Sequence, residues 1–296
     1  MTSSLDKHIV ELKREYPEWQ PWLAVVQEIL DETVNPVWDA VVPVRTGPQQ
    51  RKVPFLTGMT LNVEQSLIGR LLEQLIRVAS TSGTAKMATL KSALHADFDI
   101  LSLFKASLCH DGDHIKELAA VLGSDAAALQ AVADLVPLPF LQACNRRWQQ
   151  SISESWTEGY CPVCGAWPAF AEVRGIERSR YLRCGRCGGG WQAQCLFCPY
   201  CAMTNHNELV SLVPEKGGSN SVIDACKRCL GYVKTFTTLQ GSPPGKVIVD
   251  DLASVDLDIA AMQQGYRHPE GAGYALDVTV VGKAMPKPSI FAWSRS

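Results

Sequence analysis

The sequence lacks the features that would place the protein in a membrane or in a secretory route. Although 46% of its 296 residues are hydrophobic, no apolar run reaches the length of a membrane span. Residues 1–18 are polar and charged, without the apolar stretch of a secretory signal. A repeat of fixed period is also missing, and the helical half is expected to be a bundle or an array. We therefore expect a globular protein in the cytoplasm that is not inserted into a membrane.

Cysteine, in contrast, is abundant, and its arrangement is the strongest signal in the chain. Of the 11 cysteines, eight form four Cys-x-x-Cys pairs within residues 161–229. Two residues between cysteines let one tight turn direct both sulfurs at one ion, and two such turns complete a tetrahedral site. Because cytoplasmic thiols stay reduced, metal binding is favoured over the alternative, a framework of disulfides. The predicted ligands are Cys161, Cys164, Cys184, Cys187, Cys198, Cys201, Cys226 and Cys229.

The spacing favours two sites, each built from neighbouring pairs. Nineteen residues separate the first pair from the second, and 24 separate the third from the fourth, so that each site is closed by a local loop. A crossed arrangement, in which the first pair joins the third and the second joins the fourth, remains open. The register of the second site is also ambiguous, because Cys195 forms a Cys-x-x-Cys pair with Cys198. Pro199 repeats the proline of the first pair and favours Cys198 with Cys201, which leaves Cys195 a spare thiol and His206 a surface residue.

Short strands are predicted between the cysteine pairs. Each unit of about 30 to 40 residues is too small to bury a stabilising core, so metal binding would supply much of its folding energy. Glycines at 165 and 188 follow a second cysteine, where the backbone often needs a positive φ, whereas Ala202 and Leu230 stand at the equivalent places of the other pairs. The strands are predicted at residues 170–173, 180–183, 209–213, 221–223 and 232–238.

Residues 1–155 have the apolar periodicity of a helical domain. Ser124 is the expected N-cap of one helix, and the cluster from His110 to His114 is interpreted as a helix cap and turn instead of a ligand set. Residues 43–58 are expected to be extended, and the tail after residue 264 is left without predicted structure. The helices are predicted at residues 5–16, 21–34, 63–79, 86–95, 98–108, 113–122, 124–135 and 138–153, with one more at 250–264.

These elements predict an α+β protein. An all-α N-terminal helical domain at residues 1–155 is followed by two tandem metal-binding β modules at 156–192 and 193–240. Residues 241–296 then form a linker, a C-terminal helix and a tail.

The charge does not favour a nucleic-acid surface. Residues 161–234 contain nine Lys and Arg against five Asp and Glu, an excess of four. Four thiolates around a divalent ion leave about two negative charges per site, so two loaded sites would cancel that excess. Because nucleic-acid binding relies on basic side chains facing phosphates, this composition argues against it.

Several motifs together resemble one known family. They are Gly-Tyr-Cys-Pro-Val-Cys-Gly at 159–165, Arg-Tyr-Leu-Arg-Cys at 180–184, the third and fourth cysteine pairs, and Asp-Asp-Leu-Ala-Ser at 250–254 followed by Gly-Tyr at 265–266. With a helical half before them, they are similar to the formate dehydrogenase accessory protein FdhE family. The resemblance extends from the helical domain to about Tyr266, and Cys195 is extra beside the eight matching cysteines.

The resemblance implies an assembly factor and not an enzyme. It implies that the protein stays in the cytoplasm and binds the catalytic subunit of respiratory formate dehydrogenase during maturation, before that subunit is exported. The β modules resemble rubredoxins, so each of the two metal ions could be iron as readily as zinc, and spacing does not choose between them. The oligomeric state stays open, with a homodimer as one option.

Two other functions stay open at this stage. A rubredoxin-like redox protein predicts iron and a visible colour that a reductant bleaches. A zinc-ribbon nucleic-acid-binding protein predicts a salt-dependent affinity for DNA or RNA, against which the cancelled charge argues. An independent metalloenzyme is disfavoured, because four thiolates fill a tetrahedral site and leave no position for a substrate.

Overall fold

The computed structural model describes residues 4–45, 47–82, 86–87, 89–90, 98–213 and 220–282. Helices dominate the first half, and a β-sheet that carries two groups of four cysteines follows. The α+β class and its order along the chain are therefore confirmed. The predicted helix at 86–95 falls largely outside the described residues.

The helical half follows the predicted order of helices. Long apolar stripes form its core, in which Trp38, Phe104 and Phe140 are fully buried. Helices α2 and α3 pack along one another and α7 packs on α2, so that the last helix before the sheet is held in the centre of the domain. The bounds are α1 Ser4–Glu15, α2 Gln20–Thr33, α3 Gln65–Ser82, α4 Ile100–Leu108, α5 Gly112–Leu122, α6 Ala126–Ala133 and α7 Leu138–Trp148.

Aspartates begin the short helices α4 to α6. Asp99, Asp111 and Asp125 each accept a hydrogen bond from the backbone amide three residues later, at 3.0 Å, which satisfies an amide that lacks a helical partner. The interpretation of the His110 to His114 cluster as a cap is confirmed at Asp111. The N-cap predicted at Ser124 is wrong, because Asp125 adopts the extended cap conformation and its carboxylate reaches the amide of Ala128.

A two-stranded parallel sheet joins the helical domain to the C-terminal part of the chain. Strand β1, Thr60–Val63, pairs with β8, Thr279–Gly282, from Thr60 opposite Thr279 to Val63 opposite Gly282. Neither strand was predicted, since the tail was left without structure. Each strand is four residues long, and its partner lies more than 200 residues away, so no local pattern indicates the pairing.

The cysteine-rich part forms one sheet of six strands in the order β4-β3-β2-β7-β6-β5. Two antiparallel three-stranded ribbons carry one cysteine group each. All predicted strands are present, and β4 is an additional one. The bounds are β2 Phe170–Arg174, β3 Ser179–Arg183, β4 Gly190–Ala193, β5 Leu209–Leu212, β6 Ser221–Cys226 and β7 Tyr232–Thr238.

The two ribbons are joined edge to edge. Strand β2 of the first pairs in parallel with β7 of the second, with Phe170 opposite Lys234 and Arg174 opposite Thr238. The two metal-binding modules expected as separate units therefore share a continuous hydrogen-bonded sheet. Each ribbon covers an edge that would otherwise be exposed on the other. The domain boundaries at 155, 192 and 240 stay a prediction.

Two short helices follow the sheet, where one helix at 250–264 was predicted. They are α8 Val247–Leu252 and α9 Val255–Gln263. At the break, the Ser254 hydroxyl donates to the backbone oxygens of Asp250 and Asp251 at 2.9 and 3.0 Å. Such a bond competes with the helical hydrogen-bond ladder and bends it. Helix α9 packs on β6 and β7, and α8 contacts α1.

One stretch, Ala126–Ser151, is long and apolar enough to span a membrane by composition. In the protein 78% of its most apolar window is buried, and a turn divides it between α6 and α7. Such burial is typical of a core helix.

Candidate metal centres

The first two cysteine pairs converge on one point. The sulfur of Cys161 lies 3.5 Å from that of Cys187, and the sulfur of Cys164 lies 3.5 Å from that of Cys184. All four sulfurs lie within 4.8 Å of one another. All four side chains are fully buried.

The third and fourth pairs form a second group of the same kind. Cys198 and Cys229 have their sulfurs 3.6 Å apart, and those of Cys201 and Cys226 are 3.7 Å apart. The grouping is the sequential arrangement in both sites, and not the crossed alternative. Cys198 and Cys226 are buried, whereas Cys201 and Cys229 are partly exposed.

The same backbone turn presents the sulfurs in all four pairs. In the first, the amide of Gly165 donates to the carbonyl of Cys161, and the amide of Cys161 donates to the carbonyl of Ala166, both at 2.9 Å. The other three pairs repeat these two bonds at 2.8 to 3.0 Å. The turn closes only if the residue after the second cysteine has a positive φ.

That requirement is met by glycine in one site and by larger residues in the other. Gly165 and Gly188 have φ of 71° and 70°, as their sequence positions predict. Ala202 and Leu230 have φ of 57° and 59°, a conformation that costs a residue with a side chain about 1–2 kcal/mol. The second site is therefore built with strain in both of its turns.

The sulfur positions fit a tetrahedral metal ion. With a metal–sulfur distance of about 2.3 Å, the edge of the tetrahedron is about 3.8 Å, close to the separations of 3.5 to 3.7 Å. Backbone amides add to the fit, because those of Val163, Gly189 and Gly231 each point at a cysteine sulfur 3.4 Å away. Such donors stabilise the negative charge of a thiolate.

Burial makes four thiolates untenable without a cation. It raises the pKa of the Cys161 thiol well above the ordinary value and raises that of Cys198 in the same direction. Hydrogen bonds from the neighbouring thiols, led by Cys161, lower the pKa of Cys184. Zn²⁺ or iron held by Cys161, Cys164, Cys184 and Cys187, and again by Cys198, Cys201, Cys226 and Cys229, would supply the compensating charge. That these residues bind metal stays a prediction.

A buried ion pair supports the first site, and it was not predicted. The guanidinium of Arg183 donates to the Glu172 carboxylate at 2.9 Å and to the Gly188 carbonyl at 3.0 Å, in the turn that holds Cys187. The same carboxylate accepts from Arg174 and from the amide of Ser242. In the sequence, Glu172 was interpreted only as part of a strand.

A second arginine joins the first site to the helical domain. Arg186, which lies between two predicted ligands, donates to the carbonyls of Ser107 and Leu108 at 2.8 and 3.2 Å. Its guanidinium also lies 2.7 Å from Nε2 of His110. Burial and the Arg186 charge lower the pKa of His110 to about 3, so its neutral ring accepts this hydrogen bond. Basic residues in this region were expected to offset the charge of the metal sites. Arg183 and Arg186 also bond the first site to the sheet and to the helical domain.

The remaining candidates lie outside both groups. Cys195 is exposed and is not part of the second group, which settles the register in favour of Cys198 with Cys201. His206 is exposed, as expected. Tyr200 was overlooked: its hydroxyl donates to the carbonyl of Tyr232 at 2.8 Å, and its ring edge faces Trp167.

Comparisons with known proteins agree with this architecture. No protein-family profile matches the chain. A protein named FdhE homolog from Pseudomonas aeruginosa is 29% identical over 158 residues, 47% of this chain and 51% of that protein. FdhE of Escherichia coli is 31% identical over 109 residues, 36% of the chain and 34% of its own length. A homolog from Aquifex aeolicus is 30% identical over 116 residues, 38% of the chain and 40% of its length.

The matches thus span between about a third and half of these relatives' own length. Among solved structures, the crystal structure of FdhE from P. aeruginosa covers 91% of this chain and 93% of that one, with a TM-score of 0.55 and 18% identity. At this level of identity the likeness concerns the fold.

Fold and sites define the class: a helical domain joined to a β-sheet that carries two four-cysteine groups able to hold metal ions. The chain is thus similar to proteins named FdhE, in sequence over part of its length and in fold over most of it.

Proposed function

We propose that the protein is a cytoplasmic assembly factor for respiratory formate dehydrogenase. It binds the catalytic subunit of that enzyme during maturation and carries two metal ions, iron or zinc, in its four-cysteine sites. It does not catalyse a reaction of its own.

The donor set supports this proposal. Four sulfurs converge at each of two points, and an ion bound there has every tetrahedral position filled by the protein. A site of this kind stabilises a fold or passes an electron, but it offers no position for a substrate. The partner is the one that the resemblance to the FdhE family implies, and relatives named FdhE support that resemblance.

Co-purification tests the partner. The tagged full chain would be co-expressed with the catalytic subunit of formate dehydrogenase from the same organism and analysed by size exclusion with light scattering. We expect a complex of defined stoichiometry, and no formate oxidation by the chain alone. The catalytic subunit of an unrelated molybdenum enzyme is the control. The proposed role is wrong if the folded formate dehydrogenase subunit is not retained by the chain. It is also wrong if the chain retains the control subunit equally well.

Metal content and the visible spectrum of protein purified without oxygen test the sites. We expect two ions per chain. Two iron ions with a colour that dithionite bleaches would add an electron-transfer step to the assembly role. Two zinc ions and no colour, from cells supplied with iron, would make the sites structural. Fewer than two ions of any metal would contradict the ligand assignment.

A further inference from the structure

We propose that the two four-cysteine sites differ in the rate of metal exchange: the first releases its ion slowly, whereas the second releases its ion readily to competing ligands and takes it up again. This inference rests on the proposed metal binding at both sites. It concerns which sulfurs an incoming ligand can reach, and no function assigned above distinguishes the two sites.

Other parts of the protein cover both cysteine turns of the first site. Its four cysteines belong to the main hydrophobic core, which they share with the helical domain. The amides of Phe55 and Leu56 donate to the carbonyls of Pro162 and Val163, between the first two ligands. On the opposite turn, the carbonyl of Pro244 lies so close to Gly188 that no side chain could be added there. A ligand reaches these sulfurs only if the helical domain and the sheet separate.

The second site is open from two sides. Cys201 lines a cavity of about 920 Å³ whose walls include Trp156 and Tyr160. Cys229 lines another cavity, of about 510 Å³, beside His268. Tyr200 contributes to the walls of both cavities. A small ligand can therefore approach either partly exposed cysteine from a cavity while the fold stays intact.

Backbone strain also favours opening of the second site. Both turns of the second site hold a residue with a side chain in the left-handed region, Ala202 and Leu230, whereas both turns of the first site use glycine. A bound ion keeps such turns closed, and loss of the ion relieves the strain. The second site therefore gains more from opening than the first.

The packing around the second site is also lighter. Ile223 and Tyr232, on the strands that flank the fourth cysteine pair, belong to a small core separate from the main one, with Ala225, Leu257 and Ala261. Opening a turn in this part disturbs few buried contacts. In the first site the same movement would disturb the core of the whole protein.

Exchange is a ligand substitution without oxidation or reduction. The incoming donor, a thiolate or a chelating carboxylate, would give an electron pair to the ion. The Cys201 or Cys229 sulfur would leave the ion first, with its own electron pair, and take a proton from water; the remaining cysteine sulfurs would leave in the same way as further donor atoms replace them. The reverse sequence reloads the site.

Chelator competition on the full chain provides the test. Protein loaded with two zinc ions, in a Cys195→Ser background that removes the exposed spare thiol, would be mixed with excess EDTA, and zinc release followed over time. We expect two phases of one ion each, with rates at least about tenfold apart. Alkylation with N-ethylmaleimide and peptide mass spectrometry at the end of the fast phase should find label on Cys201 and Cys229, with the first site protected.

Glycine substitutions test the contribution of strain. Leu230→Gly should slow the fast phase by about fivefold, because it removes a cost of left-handed backbone. Leu239→Gly is the matched control: it also replaces an exposed leucine, but at a position whose φ is not positive, and its rate should stay unchanged. Ala202→Gly should act in the same direction as Leu230→Gly.

Several outcomes would overturn the inference. Both ions leaving at one rate, or label appearing first on Cys161 to Cys187, would contradict it while leaving metal binding at two sites intact. Binding of no zinc at all would contradict the proposed sites themselves, and the inference with them. Co-purification tests the interaction of the chain with the formate dehydrogenase catalytic subunit independently of metal exchange.

Discussion

Arg183 and Glu172 form an ion pair at 2.9 Å in which the two side chains are only 3% and 1% exposed. The pair links β3 to β2 and, through the Gly188 carbonyl, to a cysteine turn of the first site. Two charges so deeply buried depend on one another, because neither is hydrated and Arg174 is the second guanidinium that pairs with the Glu172 carboxylate.

Removing one partner should therefore be costly. We expect Arg183→Met to lower the free energy of unfolding by about 3 kcal/mol, the lower end of the range for a broken buried pair, since the buried Glu172 carboxylate keeps Arg174 as a counter-charge. Arg174→Met is the control, because Arg174 pairs with the same carboxylate but is 24% exposed, and should cost about 0–1 kcal/mol. Urea unfolding at a fixed zinc concentration measures both. Equal losses would show that burial of the pair is not what stabilises the turn.

Acid should remove the contribution of Glu172. Burial opposes its charge, but Arg183, the Ser242 amide and Arg174 outweigh burial and hold the pKa of this carboxyl below its ordinary value. A carboxyl with a lowered folded-state pKa stabilises the fold above its unfolded pKa of about 4.3, and that stability is lost as the pH falls through the folded value.

The difference between wild-type protein and Glu172→Gln should consequently be largest near pH 7 and shrink as the pH falls from about 4.3 toward the lower folded-state pKa, below which the wild-type carboxyl is also neutral. Thermal unfolding between pH 7 and pH 3.5 follows the difference. The comparison cancels any acid-induced loss of metal that both proteins share. A difference that stays constant over this range would assign the effect of the substitution to packing.

Loss of one metal site should have unequal consequences. The sequence alone suggests that Cys161→Ala with Cys164→Ala unfolds one module and leaves the helical domain intact. Because these turns pack in the main core, we now expect the pair of substitutions to destabilise the helical domain as well, whereas Cys226→Ala with Cys229→Ala should spare it. Metal content and helical circular dichroism during heating report both effects. Each variant should lose one ion. The same melting curve for both would contradict the expectation.

The glycine after Cys187 should tolerate no side chain. Gly188 has a positive φ, and an added Cβ would lie 2.4 Å from the Pro244 carbonyl oxygen. Gly123 also has a positive φ, at the end of α5, but has open space around it. Gly123→Ala should cost about 1–2 kcal/mol of strain, and Gly188→Ala a further 1–3 kcal/mol or so for the displaced backbone. Chemical unfolding of the two variants separates the cost of backbone strain from the cost of the steric clash with Pro244.

The local features of the fold could be predicted from sequence, because cysteine spacing, helix periodicity and strand composition are properties of short segments. The eight clustered cysteines, the helices and most of the strands are features of this local kind. The parallel pairing of β2 with β7 could not be predicted, since nothing in either strand indicates its neighbour. Glu172 stood in an ordinary strand pattern, and its role depends on Arg183 and Ser242, which reach it only in three dimensions.

The strained turns of the second site illustrate a different limit. Ala202 and Leu230 occupy positions where a left-handed turn is expected, but their side chains argue against one. The turns nevertheless close, because the amides of Ala202 and Leu230 donate to the carbonyls of Cys198 and Cys226. Tertiary structure here overrides the preference of two single residues.

The pairing of β1 with β8 also bears on how the chain is synthesised. Residues near position 60 leave the ribosome long before residues near 280, yet they pair side by side. Strand β1 must therefore stay unpaired while more than 200 further residues are added. During that interval its edge is open to chaperones or to wrong pairing, and β8 closes it once it is translated.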